Sequence, residues 1–257
     1  MTAPDVVDLA DRPDVAPELR LVPHAFRRAF GRPAAGVWYA PGVVRLLGGA
    51  VRVPGRWGAI VAGDRRDDGV LELVSVNRPT ERAVLPSGDV PEWAAPVRGV
   101  AGGATLMCSV DLPRGSGLSA GEALRTAVGL ALRDLAGVAF EQETVAPLDL
   151  PGQRLLVVDT RVRRPEPQVE RPFVRDTDDL GAALTAYHHA QQPDPEQDVV
   201  VRAALAAGAR GASLLIDPPG RPAVALVDAD LVPAVKRAIT KAAELPPRYL
   251  TIISTAT

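Results

Sequence analysis

What this chain of 257 residues has little of narrows its chemistry before any motif is read. It has one cysteine, Cys108, so no intrachain disulfide forms, and a reducing compartment is the expected setting. Cys108 sits in the apolar run Ala104–Val110 and reads as a core strand residue rather than a catalytic thiol. Charge of one sign is also missing: 29 Lys+Arg face 31 Asp+Glu, for a net charge of −2. That balance removes the electrostatic footprint of a nucleic-acid binder. The one basic cluster, Arg161, Arg163 and Arg164, is followed closely by Glu166, Glu170, Asp176, Asp178 and Asp179 and reads as a solvated strand end. No apolar run is long enough for a membrane span and no signal peptide stands out, so a cytoplasmic protein is expected. Residues 1–20, acidic and proline-containing, are expected to form a loosely packed leader. Internal repeats and low-complexity tracts are absent too.

What is present is a chain long enough for one large domain or two intimate ones. Twenty-five prolines break it into many short elements. Ala, Val, Arg and Pro outnumber Lys, Asn and Ile, a bias associated with GC-rich bacterial genomes rather than with a function. The pattern predicts a short helix over 24–31 and strands over 38–40, 43–47, 51–62, 70–76 and 105–112. A helix follows from Ser119, with Leu124, Val128, Ala131 and Leu135 on one face; Ser119 is its expected N-cap and Gly137 its stop. The second half reads as a strand at 154–159, helices near 178–190 and 198–207, and a hairpin pairing 212–216 with 223–227 across Asp217-Pro-Pro-Gly220. A helix at 231–243 and a strand at 249–254 close it. The class is α+β, with the boundary expected between Ala139 and Gly152.

The segment most suggestive of chemistry is Pro113-Arg-Gly-Ser-Gly-Leu-Ser119, a Gly/Ser-rich turn running into the helix. Glycines allow close backbone approach, successive N–H groups converge on one oxygen cluster, and the helix presents its positive end. Gly115, Ser116, Gly117, Leu118 and Ser119 are therefore the candidate nucleotide-binding residues. The same arrangement also serves as a plain strand-to-helix turn, and both readings stay open.

Three other segments join this one in a resemblance. Phe26-Arg-Arg-Ala-Phe-Gly-Arg-Pro33 with Tyr39-Ala-Pro-Gly-Val-Val-Arg-Leu-Leu-Gly48 is similar to the galactokinase opening, F-x-x-x-F-G-x-x-P followed by A-P-G-R-[IV]-N-L-I-G-E-H-x-D-Y. Gly115–Leu124 resembles the family's ATP loop, G-x-G-L-S-S-S-A-A-L. Leu180–His188 resembles L-G-x-L-M-N-x-S-H, and Gly211–Val227 matches G-A-R-M-T-G-G-G-F-G-G-C-A-V-A-L-V without a gap. Four landmarks in order cover most of residues 22–235. The chain is identified as a shortened galactokinase-like member of the GHMP kinase superfamily. The resemblance implies a ribosomal-S5-like N-terminal domain over 21–145 and a ferredoxin-like C-terminal domain over 146–257, with ATP and Mg²⁺ as the family's cofactors.

The departures bear on activity. Val43 stands where the family's charge-carrying arginine is implied, and Gly49-Ala50 stand where carboxylate and histidine clamp the sugar. The ATP loop's second and third serines are Ala120 and Gly121, which removes an implied Mg²⁺ ligand. The G-x-M-D-Q motif that holds the family's base has no counterpart between Phe140 and Asp159, and the Gly-rich stretch of the last landmark becomes Ile216-Asp-Pro-Pro-Gly-Arg-Pro222. Phosphoryl transfer depends on positioning and charge stabilisation. Losing one oxyanion-type donor costs ~3 kcal/mol and losing a base roughly 100- to 10,000-fold, though such losses do not simply add. The chain is expected to lack galactokinase activity, with no catalytic and no metal-binding residue assigned. A pseudokinase that binds a partner protein or small ligand is the leading reading. An ATP-dependent kinase with a changed acceptor, and a dimerising scaffold, are the alternatives.

Individual candidates read more plainly. Glu122 suits the first turn of a helix through the dipole. His188 and His189 are adjacent on a helix and point apart, which disfavours shared metal ligation. Asp159 and Asp149 are the nearby carboxylates for a relocated base, and Asp159 at a strand end also fits a turn acceptor.

Overall fold

The computed structural model describes residues 17–86, 90–112, 119–143, 145–146, 148–162, 179–193, 195–215 and 222–253. The chain divides into two compact units, one of residues 1–42, 57–112 and 120–144, the other of 43–56, 113–119 and 145–257.

In the first unit, helix α1 (Pro17–Phe30) covers one face of a five-stranded sheet. Its strands are β1 (Gly36–Leu46), β2 (Val51–Arg65), β3 (Leu71–Ser75), β4 (Arg78–Leu85) and β5 (Ala104–Val110), in the order β1-β2-β5-β3-β4, with the end of β1 from Val43 and the start of β2 up to Arg56 grouped with the second unit. β5 is central, antiparallel to β2 and parallel to β3 in the register Leu71↔Ala104 to Ser75↔Cys108. Side chains alternate along a strand. Thus Ile60, Ala62, Val74 and Met107 meet Val22 and Phe26 of α1, while Leu73, Leu106 and Cys108 belong to the other face. Phe26 and Phe30, one helical turn apart, place their rings 4.8 Å apart. Helix α2 (Ala120–Ala136) packs on β5 and on a short 3-10 turn at Glu92–Val97.

The second unit contains a sheet of β6 (Gln153–Asp159), β7 (Gly211–Leu214), β8 (Ala223–Asp228) and β9 (Arg248–Ile253), ordered β7-β8-β6-β9. Every pairing is antiparallel. Helices α3 (Leu180–Ala190), α4 (Pro195–Ala206) and α5 (Val232–Ala242) interleave with these strands, giving the ferredoxin-like arrangement. Leu156 and Val158 of β6, Ala223, Ala225 and Val227 of β8, and Val201, Val235 and Ile239 of the helices form one core. Asp179 caps α3 by accepting the Ala182 N–H at 3.1 Å.

Several expectations need correcting. α1 begins at Pro17, well before His24, so residues 17–20 are helical. Pro23 made His24 look like a start, but burial of Val22 and Phe26 carries the helix across the proline. The strands expected at 38–40 and 43–47 are one continuous β1 through Pro41, which an edge position allows. β4 and the turn at 92–97 were not anticipated: β4 is polar and largely exposed over its first four residues, as an edge strand is. Ser119 adopts φ 48°, a left-handed conformation rather than the extended one of a capping residue. Gly137 does follow the end of α2, donating its N–H to Arg133 O at 3.1 Å.

Candidate functional site

Gly115, Ser116, Gly117 and Leu118 lie outside the described residues, as does the Asp217–Gly220 turn. The site is therefore read from the elements around them. Of the five candidate nucleotide-binding residues only Ser119 is described.

The start of α2 is built against the 3-10 turn. Side-chain atoms added to Gly121 would meet Pro96 at once: a Cβ there lies 2.8 Å from Pro96 Cγ and 3.2 Å from its Cβ. Gly121 holds the position where the resemblance implies a serine, and Pro96 occupies the space its side chain needs. The proline ring thus packs directly against Gly121. Glu122 follows in the first turn, where the helix dipole favours a carboxylate.

The implied arginine position is equally closed. Val43 lies in β1 and is 6% exposed; an arginine there would bury a charge. Between β1 and β2, at the place of the sugar clamp, Leu47, Gly48 and Gly49 have φ of 52°, 70° and 103°. Three successive left-handed residues turn the chain back within a few residues, and glycine is what permits two of them.

The relocated-base candidates are placed as follows. Asp159 is fully buried at the end of β6, and its Oδ1 accepts the Arg161 N–H at 2.9 Å. It closes an Asx turn that holds Arg161 at φ 63°, as the turn-acceptor reading expects. Asp149 is exposed.

His188 and His189 do point apart, one buried and one exposed. His188, 2% exposed, is engaged at both ring nitrogens. Nδ1 accepts the Leu214 N–H at 3.4 Å, and Nε2 lies 2.6 Å from Asp198 Oδ1. With Nδ1 accepting, the proton resides on Nε2 and is donated to Asp198, whose other oxygen pairs with Arg202 at 3.1 Å. Beside it Gln191 donates to Ser213 Oγ and Leu214 O at 3.1 and 2.9 Å. The two residues tie α3 to β7. Sequence reasoning missed Gln191, Asp198 and Arg202; the His188–Asp198 spacing crosses two helices and leaves no periodic signal.

Burial pushes the Cys108 thiol up to about 12, against a smaller opposing effect of its hydrogen bond with Ser75. It is a neutral core group at physiological pH. Among the described residues no group of three His, Cys, Asp or Glu is placed to hold a metal ion. No helix among them is long and apolar enough to cross a membrane. As to ATP and Mg²⁺, two described positions do not fit the transfer machinery that the resemblance implies: the Gly121 site filled by Pro96, and the buried Val43.

Comparison with known proteins places this geometry. No family model matches the chain. The galactokinase of Streptomyces coelicolor is 28% identical over 353 aligned positions, covering 84% of this chain and 91% of that protein. The alignment is longer than this whole chain, so the relative carries internal stretches with no counterpart here. The galactokinase of Chloroflexus aggregans is 31% identical over 153 positions, 51% of this chain and 39% of that protein. Among solved structures, Lactococcus lactis galactokinase complexed with galactose superposes with a TM-score of 0.71 at 17% identity, covering 92% of this chain and 98% of that one. Methanococcus jannaschii mevalonate kinase gives 0.57 at 11%, covering 84% and 97%. At those identities the structural likeness establishes the fold.

Proposed function

Starting from a chain that is a galactokinase-like member of the GHMP kinase superfamily, we propose that it is a pseudokinase. It acts in the cytoplasm by binding and does not phosphorylate sugar. The observation that carries this reading is the one at α2: Pro96 fills the space at Gly121 where the family's loop implies a hydroxyl. Packing that excludes a side chain is not reversed by ligand binding alone, because the 3-10 turn and α2 would have to part. The burial of Val43 and the engagement of Asp159 in its own turn support the same conclusion. A charge stabiliser and a base must both face the reacting phosphate, and these two positions face core and backbone.

The test is direct. Purified protein incubated with ATP, Mg²⁺ and galactose is expected to transfer no phosphate above the buffer rate. Robust phosphorylation of galactose overturns the reading. Thermal unfolding with ATP, ADP and a non-hydrolysable analogue, each with and without Mg²⁺, reports on residues 115–119. Nucleotide at a hundred times its dissociation constant adds ~2.7 kcal/mol, which raises the midpoint by about 5–11 °C for a chain of this size. A Mg²⁺-dependent rise together with turnover of another alcohol would replace the pseudokinase by a kinase of changed acceptor.

A further inference from the structure

At the opposite end of β5 from Val110, the first unit holds a cavity of about 870 Å³. That volume lies within the usual range for small-molecule pockets. β5 spans seven residues, so the cavity is about 20 Å along the strand from the end that runs on toward residues 113–119. Its walls come from the start of β3, the end of β4 and the segment leading into β5: Leu71, Leu85, Val90, Arg98, Val100 and Gly102 are among the residues lining it. Register fixes this meeting, since Leu71 pairs with both Ala104 and Leu85.

The hollow has a structural cause. Residues 102–103, at the end of the segment leading into β5, lie close against α2 and the end of β2. A Cβ at Gly102 would lie 2.9 Å from Leu132 Cδ2, and one at Gly103 only 2.1 Å from the Arg66 carbonyl oxygen. Arg66 N–H bonds Gly103 O at 3.0 Å and Ala104 N–H bonds Val70 O at 3.0 Å, so the segment is held there. The lining is apolar apart from backbone and one charged group, Arg98. One arm of its guanidinium donates to Val90 O at 3.2 Å, which fixes that arm and leaves further N–H groups to donate. Among the described residues no carboxylate lines it. Asp68, beside the lining residue Gly69, is engaged by Arg66 and the Val70 N–H.

We infer that this cavity is a binding site for a small amphipathic organic anion, its apolar body against Leu71, Leu85 and Val100 and its single anionic head on Arg98. A guanidinium beside an apolar hollow favours such a ligand over a neutral one of the same shape. The inference is independent of the pseudokinase reading, and sugar phosphorylation is measured separately, so either can fail alone.

The test uses the full chain and two probes, 1-anilinonaphthalene-8-sulfonate and octanoate. The dye is expected to bind once per chain, with octanoate displacing it about tenfold more effectively than 1-octanol. Arg98→Leu should weaken dye and octanoate about tenfold and abolish the preference over octanol, while Arg98→Lys retains the preference. Val100→Trp, which fills the hollow, should remove binding while far-ultraviolet circular dichroism stays native. Absence of saturable binding, affinity unchanged in Arg98→Leu, or displacement of the dye by Mg²⁺–ATP would each overturn the inference.

Discussion

The two ends of β5 in the first unit are built from the same materials and come out differently. Near the Val110 end, α2 meets the 3-10 turn so closely that Gly121 has no room for a side chain beside Pro96. At the Ala104 end, glycines again allow close approach, but there they draw residues 102–103 onto α2 and β2 and leave a cavity facing β3 and β4. One close contact leaves no room for a side chain, and the other lies beside a cavity. The lesson is that a small residue does not itself signal a ligand. What matters is whether the space beside it is taken by the protein.

The comparison can be broken most severely at Gly103. Gly103→Ala sets a methyl group against the Arg66 carbonyl, a backbone atom that cannot move aside alone. A loss of about 3 kcal/mol is expected in urea denaturation, at the upper end for overpacking, with loss of dye binding at the cavity. A near-neutral result would mean that the segment does not lie as close as described.

Gly121→Ser restores the family's residue and tests the closed end. It should cost about 1–2 kcal/mol by overpacking against Pro96. Pro96→Ala in the same chain should recover much of that, a coupling that a double-mutant cycle measures. Additivity of the two changes would remove the packing argument.

Acid sharpens the open end. The Arg66 guanidinium, hydrogen-bonded to Asp68, holds that carboxyl down at about 2, with help from the Val70 N–H. A depressed carboxyl contributes stability that is present above its unfolded value near 4 and lost as pH falls through about 2. Asp68 is solvent-exposed, so the effect is small. The denaturation midpoint of Asp68→Asn should fall less between pH 5 and pH 2 than that of the unaltered protein; equal slopes would show that the pair contributes nothing.

The smallest effect on stability is expected from Arg98→Leu. An exposed side chain with one hydrogen bond to a carbonyl should change unfolding by no more than about 0.5 kcal/mol. Set beside a tenfold loss of octanoate affinity, that separates a binding role from a structural one.

The sequence was readable wherever one local signal dominated. α2 shows in the spacing of Leu124, Val128 and Ala131, β6 in Leu155-Leu-Val-Val158, and the β7–β8 pair in two short apolar runs. Elements shaped by tertiary burial were harder. α1 runs through Pro23 because Val22 and Phe26 have a sheet to pack on, and β4 offers little apolar pattern because its outer edge faces solvent. At the candidate site, the missing arginine, sugar clamp and serine were legible as substitutions at Val43, Gly49 and Gly121, but their meaning was not. The contact between Pro96 and Gly121 joins residues far apart in the chain, and the His188–Asp198–Arg202 linkage joins two helices.

By itself the sequence determined the class of fold, the order of most elements and the positions at which the chain departs from the galactokinase motifs, because periodicity and motif spacing are local properties of a chain. Tertiary structure alone decided which of those positions are closely packed and where an open cavity remains. Occupied volume depends on side chains brought together from distant segments, and no local pattern encodes it.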